Sequence, residues 1–105
     1  MEYAIEDGRL LIRRTPEERQ PLLKRLARVE GQVRGLTQMV DADRHCLEAV
    51  QQINAINSAL RELALLMIAE HLQAGISAAV QAQDGAAVLD ELNTVLRTGM
   101  RQTPH

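Results

Sequence analysis

The feature that most constrains the fold of this sequence is an apolar stretch from about residue 45 to residue 82, which carries two stripes at helical spacing. The first stripe recurs at steps of four and three residues, at Cys46, Val50, Ile53, Asn57, Leu60, Ala64, Met67 and His71. The second runs beside it, at Ala49, Ile56, Ala59, Leu63 and Leu66. Because this apolar arc is too wide for a helix buried on one side only, the long helix needs two neighbours.

Shorter helices are predicted on either side. Thr15 as N-cap and Pro16 at the first helical position predict a helix over residues 16 to 40, and "DADRH" at 41–45, with Asp43 as a cap, separates it from the long helix. After the turn "QDGAA", capped by Asp84, "AAVLDELNTVLR" predicts a third helix that ends at Gly99. Its inward side chains are expected to be Leu89, Leu92 and Leu96.

The predicted fold class is all-α, with a three-helix protomer over residues 15–99. Residues 1–14 lack a helical period and contain the turn signal Asp7-Gly8, so they are expected to form a flexible arm or a small hairpin. Residues 100–105 are expected to be a frayed tail. A helix of about 55 Å cannot close a core within one such protomer, so an oligomer is expected. A helical interaction module or coiled coil explains the same spacing.

Composition excludes several classes of protein. With 105 residues, 46% of them hydrophobic and 25% charged, the chain is one globular domain. Its single cysteine cannot form an internal disulfide, and we find no signal peptide and no apolar run of the length of a membrane span, so a cytoplasmic protein is expected. No phosphate loop, HExxH or CxxC motif is present, which indicates that the protein is not an enzyme.

Cys46 and His71 suggest a site that needs two chains. They are 25 residues apart, so their side chains point the same way on a helix, yet they lie about 37 Å apart along its axis. If two copies of the helix pack antiparallel, Cys46 of one copy lies opposite His71 of the other. The small or polar residues Asn57, Ser58 and Ala59 lie midway and would allow a close crossing.

Plainer interpretations stay open for each of these residues. A lone cysteine on an apolar stripe is often a small buried hydrophobe, and a seam histidine is often structural. His45 is more readily a neighbour of the site than a ligand. A thiolate and an imidazole suit copper, zinc or nickel, but two donors are fewer than the usual three or four.

Basic residues are concentrated near the N-terminus, although the net charge is −2. Eight of the twelve lie within residues 9–34. If the helical phase extends back to residue 14, Arg14, Arg25 and Arg28 share one side of the first helix, with Lys24 nearby. In a monomer this is a solvated face. In an oligomer the repeated face could cover the phosphates of duplex DNA, although no helix-turn-helix or zinc finger pattern appears.

The segments "LLKRLARVEGQVRGLTQMVDADRHC", "QQINAINSALRELALLMIAEHL" and "LDEL" resemble the copper-sensing operon repressor family, the CsoR/RcnR/FrmR group, over residues 15–98. The resemblance implies an antiparallel helical dimer that assembles into a flat homotetramer, a dimer of dimers, on double-stranded operator DNA. Effector binding at Cys46 and His71, from different subunits, would release the DNA. The effector would be Cu(I), Ni(II) or Co(II), and no metal is needed for folding. Glu91 matches a position that supports the ligands, and Arg25 a DNA contact.

The sequence also departs from the family pattern. Gly75 stands where copper sensors have a second cysteine and nickel or cobalt sensors a histidine. Formaldehyde sensors use an N-terminal proline amine, and here an extra arm precedes that point. Four hypotheses follow: a repressor released by a transition metal at Cys46 and His71, a repressor that senses formaldehyde or another electrophile through Cys46, a helical scaffold without an effector, and a family member that has lost its sensing, with Gly75 as the trace of that loss.

Overall fold

The computed structural model describes residues 1–81 and 85–101, except for the side chains of residues 100 and 101. The elements in chain order are strand β1 (Glu2–Glu6), strand β2 (Arg9–Arg13), helix α1 (Pro16–Asp41), helix α2 (Cys46–Gln81) and helix α3 (Gly85–Arg101). The three predicted helices are present. The all-α class omitted the two strands, which form a small antiparallel sheet.

Residues 2–13 form a β-hairpin, which is one of the two structures expected for this segment. Asp7 and Gly8 make its two-residue loop with φ values of 52° and 74°, the left-handed values that a type I′ turn needs at both positions. Opposite charges pair across the strands near both ends of the hairpin, Glu2 with Arg13 and Glu6 with Arg9. Side chains alternate along β2, so that Leu10 is buried while Leu11 is 44% exposed.

The segment between α1 and α2 differs from the prediction in its capping. Asp43 does not cap α2 but follows the end of α1 in the left-handed region, with a φ of 53°. The amide of Arg44 donates to the carbonyl of Met39 at 2.9 Å, and that of Asp43 to the carbonyl of Val40 at 3.2 Å. This pair of hydrogen bonds is a Schellman motif, which satisfies carbonyls at the end of α1. His45 holds the capping position of α2 instead.

The described chain forms two compact units, of which one comprises residues 17–63. Its buried residues include Val29 on α1 and Ile56 and Leu63 on α2. Ile56 and Leu63 belong to the second predicted stripe of α2. Three members of the first stripe remain 41% exposed, Val50, Ile53 and Leu60. Within this unit the protomer therefore buries one stripe and leaves exposed the one that begins with Cys46.

The other compact unit comprises residues 1–16 together with the chain from residue 64 onward. Leu10 of the hairpin packs in one buried cluster with residues of α2 and α3, namely Ala74, Ala78, Val88 and Leu92. Gly75 is also buried, and a Cβ placed there would stand 2.5 Å from Cδ2 of Leu92. Glycine at this position therefore lets α3 approach α2 closely.

Helix α3 corrects two predictions. Gly99 does not end the helix, which continues to Arg101, and a Cβ at Gly99 would stand 2.6 Å from Cδ1 of Ile68. The glycine thus serves close packing. Leu89 was expected to point inward but is 60% exposed, while Val88 and Leu92 are buried. Asp84 and residues 102–105 of the predicted tail lie outside the described residues.

Helix α2 also corrects the expectation that no segment has the length and apolarity of a membrane span. It contains an 18-residue window with a mean hydropathy of 1.5, of which 22% is buried. A single helix of this kind is weak evidence for a membrane span, because the core helices of soluble proteins can be equally long and apolar. The apolar surface of α2 is also the feature from which the sequence predicted a second neighbouring helix.

Candidate functional site

His71 and Glu91 form the closest contact between predicted site residues. His71 lies on α2 and Glu91 on α3, and Nε2 of the imidazole is 2.8 Å from Oε2 and 3.0 Å from Oε1 of the carboxylate. Both side chains are largely buried, with 17% and 10% of their surfaces exposed. The two residues are twenty positions apart in the sequence. They meet because α3 packs back on α2 within the compact unit that contains the hairpin.

This contact determines which nitrogen of His71 can bind a ligand. An ionised carboxylate only accepts hydrogen bonds, so Nε2 carries the proton that it donates to Glu91. In the neutral ring Nδ1 then holds the lone pair, and the structure gives this atom no hydrogen-bond partner among the residues it describes. Metal-binding histidines in proteins are commonly held in this way, with a carboxylate on the second nitrogen.

Cys46 is the first residue of α2, and its free thiol is exposed. It belongs to the unit of residues 17–63, whereas His71 belongs to the other unit. Beside it, His45 accepts the amide hydrogen of Leu47 on Nδ1 at 3.1 Å, so His45 is the N-cap of α2. Sequence reasoning placed His45 near the site but missed this role, which a histidine directly before the first helical residue could have suggested.

An ion pair spans the start of α2, between Arg44, two residues before Cys46, and Glu48, two residues after it. Nε and Nη2 of Arg44 each lie 3.0 Å from a different carboxylate oxygen of Glu48. The hydrogen bonds and the attraction of the guanidinium hold the pKa of Glu48 below its ordinary value, and the same contacts raise the pKa of Arg44. Since both groups are exposed, solvent screens the pair and it serves mainly to order the helix start.

Gly75 occupies the position at which the resemblance would place a further metal ligand. A Cβ there would also stand 2.9 Å from Cδ1 and 3.0 Å from Cγ of Leu92, closer than ordinary carbon contacts. A cysteine or histidine could enter only if α3 shifted or the side chain of Leu92 changed its rotamer. Within the described part of the chain, no group of three or more histidine, cysteine, aspartate or glutamate side chains could hold a metal.

The predicted DNA-binding residues have different environments. Arg14 pairs with Glu70, Nε to Oε2 at 3.0 Å, and its side chain is only 18% exposed. This pairing weighs against a role for Arg14 on DNA. Glu70 was missed by sequence reasoning, since 56 residues separate it from Arg14.

The other three predicted DNA-binding residues lie on α1 and are exposed. Arg25 reaches Glu62 at 3.4 Å, while Lys24 and Arg28 form no ion pair within the described residues. Residues at these spacings share one side of a helix. They provide a basic surface on the unit of residues 17–63.

A cavity of about 890 Å³ opens beside Glu91. The loop of the hairpin, the middle of α2 and the length of α3 line it, and Glu91 is one of the lining residues. Its wall is mostly apolar, with Met67, Ile68 and Val88 among its members.

The fold and the site together define a mostly helical protein in which a histidine supported by a carboxylate and an exposed cysteine occupy one long helix. The model of the family described as metal-sensitive transcriptional repressor matches residues 18–98. The chain belongs to this family, whose members are transcriptional repressors and not enzymes.

Individual relatives agree with this assignment. The copper-sensing transcriptional repressor CsoR of Bacillus subtilis (strain 168) is 33% identical over 91 residues, which is 87% of this chain and 90% of the relative. Two solved structures share the fold. The copper-sensing repressor CsoR with Cu(I) from Geobacillus thermodenitrificans NG80-2 is 38% identical with a TM-score of 0.75, and the match covers 84% of this chain and 92% of that one. The nickel-responsive transcriptional regulator InrS is 32% identical with a TM-score of 0.74, covering 82% and 97%.

Proposed function

We propose that this protein is a cytoplasmic repressor that leaves its operator DNA when a transition metal binds between the thiolate of Cys46 in one subunit and Nδ1 of His71 in another. The observation that carries the proposal is the contact of Glu91 with Nε2 of His71. It leaves the opposite ring nitrogen with its lone pair and holds the ring in place, as metal-binding histidines require.

The exposure of the first stripe of α2 supports a site shared between subunits. Val50, Ile53 and Leu60 follow Cys46 on that stripe and are each 41% exposed, although burying a large apolar side chain is worth about 1.5–3 kcal/mol. A second copy of α2 that runs antiparallel would cover them and bring its own His71 toward Cys46. A twofold axis then creates two equivalent sites, and two such dimers would make the tetramer.

Copper(I) fits the donor set better than nickel(II) or cobalt(II). A thiolate is a soft ligand of the kind that selects Cu(I), and Cu(I) accepts low coordination numbers. The packing of Gly75 against Leu92 removes the third donor that a larger coordination sphere would use. When bound, the metal would supply a bond that joins two subunits, and this bond favours the subunit arrangement with lower affinity for DNA.

The exposed basic residues of α1 are the proposed contact with the DNA backbone. Lys24, Arg25 and Arg28 recur in every subunit of a tetramer. Although the net charge of each chain is −2, these residues would repeat a positive surface along one face of the assembly. Arg14 is left out of this surface because Glu70 neutralises it.

The proposal is tested by measuring binding to a labelled duplex from upstream of the protein's own gene, with Cu(I), Ni(II), Co(II), Zn(II) or formaldehyde added. We expect Cu(I) to release the DNA from the unchanged protein. The Cys46→Ser and His71→Ala variants should bind DNA as before but stay bound in Cu(I). Equal release of Cys46→Ser would refute the sensing role of the thiol. Release by formaldehyde alone would support the electrophile hypothesis, and the absence of salt-sensitive DNA binding would support the scaffold.

A further inference from the structure

The N-terminal hairpin lies before the residues that the family model matches, yet it is built into the unit that contains His71 and Glu91. Leu10 is only 4% exposed and shares a buried cluster with residues of α2 and α3. Tyr3 donates a hydrogen bond from its hydroxyl to Oε1 of Gln81 at 2.8 Å. An element attached by both core packing and polar contacts has a fixed position relative to α3 and to the part of α2 that lies in this unit.

Leu10 shares its buried cluster with residues that neighbour both members of the site pair along the chain. On α2 it clusters with Ala74, which lies one turn after His71. On α3 it clusters with Val88 and Leu92, which lie on either side of Glu91 within one turn. The cluster therefore joins the hairpin to both helices, and Leu10 also lines the same cavity as Glu91.

A third attachment lies next to the histidine. Arg14, directly after β2, donates hydrogen bonds to both carboxylate oxygens of Glu70 at 3.0 and 3.4 Å. Glu70 directly precedes His71 on α2. Because these two side chains are largely buried, the pair is screened less than a surface pair. The hairpin is thus held to α2 beside His71 and to α3 beside Glu91.

We infer that the hairpin is a positioning element of the effector site, in which Leu10 holds α3 against α2 so that Glu91 stays on Nε2 of His71. A displacement of α3 by 1 Å would lengthen contacts of 2.8 and 3.0 Å beyond hydrogen-bonding range. The imidazole proton could then occupy either nitrogen, and Nδ1 would no longer be reserved for a ligand. The inference rests on the proposed function for its purpose, but the tautomer of His71 can be measured without any metal.

The test compares Leu10→Ala with Leu11→Ala in the metal-free protein. These are the same substitution at neighbouring positions of one strand, one buried and one 44% exposed. Long-range ¹⁵N–¹H NMR reports the imidazole tautomer, and His71→Ala assigns the signals among the three histidines. We expect the Nε2–H tautomer in the unchanged protein and in Leu11→Ala, mixed tautomers in Glu91→Ala, and a shift toward the mixed pattern in Leu10→Ala. Leu10→Met, which refills the space, should restore the original pattern.

Cu(I) affinity, measured by competition with a chromophoric chelator, gives the second readout. Loss of a carboxylate that supports a ligand histidine typically weakens metal binding about 10- to 100-fold, so Glu91→Ala should lie in this range and Leu10→Ala should approach it. The double variant should be no weaker than Glu91→Ala alone, because both changes remove the same contact. Circular dichroism checks folding, and if Leu10→Ala unfolds, Leu10→Val with Leu11→Val as control replaces it.

The outcomes separate this inference from the proposed function. A folded Leu10→Ala or Leu10→Val variant with the tautomer of the unchanged protein would overturn the positioning role, while leaving the metal site intact. Dependence of the tautomer on Leu10 in a protein that binds no Cu(I) would support positioning and refute the proposed effector. Additive losses in the double variant would show that Leu10 acts on metal affinity by a route other than Glu91.

Discussion

Replacing Gly75 by alanine should destabilise the protein, although alanine is the better helix former. A Cβ at this position would stand 2.5, 2.9 and 3.0 Å from three side-chain carbons of Leu92. Both residues are buried, so relief requires that α3 move relative to α2 or that Leu92 adopt an unfavourable rotamer.

The size of the effect follows from two opposing terms. Exchange of glycine for alanine inside a helix gains about 1 kcal/mol, whereas overpacking of a core costs about 1–3 kcal/mol. Gly31 on α1 supplies the matched control, because a Cβ there would meet only Nη2 of Arg34 at an ordinary 3.6 Å. Gly31→Ala should therefore gain the full propensity term. The free energies of unfolding of the two variants should differ by about 1–3 kcal/mol, with Gly75→Ala the less stable.

Urea unfolding followed by circular dichroism measures this difference. All variants must be compared at one protein concentration, since assembly adds a concentration-dependent term to stability, and equal m-values would show that the comparison is valid. Adding Leu92→Ala to Gly75→Ala should cost less than Leu92→Ala costs alone, because the new methyl group fills part of the cavity. Equal stability of Gly75→Ala and Gly31→Ala would refute the close packing of α3 on α2 and, with it, our explanation for the missing third metal ligand.

Three further predictions follow from the capping, the ion pairs and the charges. His45→Ala should lower stability by about 0.5–1.5 kcal/mol through loss of the hydrogen bond from the Leu47 amide at the start of α2, and His45→Ser, a preferred N-cap residue, should recover it in the same urea assay. Lys24→Ala should weaken operator binding and make its salt dependence shallower, whereas Arg14→Ala should leave both unchanged in a salt-dependent anisotropy titration. Pairing with Arg44 lowers the pKa of Glu48 from its ordinary value of 4.5. The small stabilising effect of this ion pair should therefore be present above pH 4.5 and disappear as the pH falls below that value. Glu48→Gln should remove this component from the pH dependence of unfolding, and a profile identical to that of the unchanged protein would contradict it.

Local sequence signals predicted much of the fold correctly. Thr15-Pro16 marked the start of α1, and Asp7-Gly8 marked the turn of the hairpin. The two stripes of α2 also anticipated that the protomer leaves apolar side chains exposed. Such features depend on residues a few positions apart. The proline ring, the turn preference of Asp-Gly and the spacing of apolar residues all act within one short segment.

The predictions that failed concern choices between local roles. Gly99 resembles a helix stop, but α3 continues through it to Arg101, and the absence of a side chain there makes room for Ile68. Asp43 and His45 could each cap a helix, and the path of the chain assigned the first to the end of α1 and the second to the start of α2. A short sequence contains no information on which of two acceptable roles the rest of the molecule requires.

The residues of the candidate site could be predicted from the sequence, but their contacts could not. Cys46, His71 and Glu91 could be singled out from residue type, spacing and resemblance. That Glu91 reaches Nε2 of His71, that Leu92 fills the space beside Gly75, and that Glu70 neutralises Arg14 depend on how α2, α3 and the hairpin pack. Contacts between residues 17 to 56 positions apart arise when buried surfaces match across separate elements, and no periodicity along the chain encodes that match. The residue types therefore follow from the sequence, whereas the contact of Glu91 with His71, the packing of Leu92 on Gly75 and the pairing of Arg14 with Glu70 follow from tertiary packing.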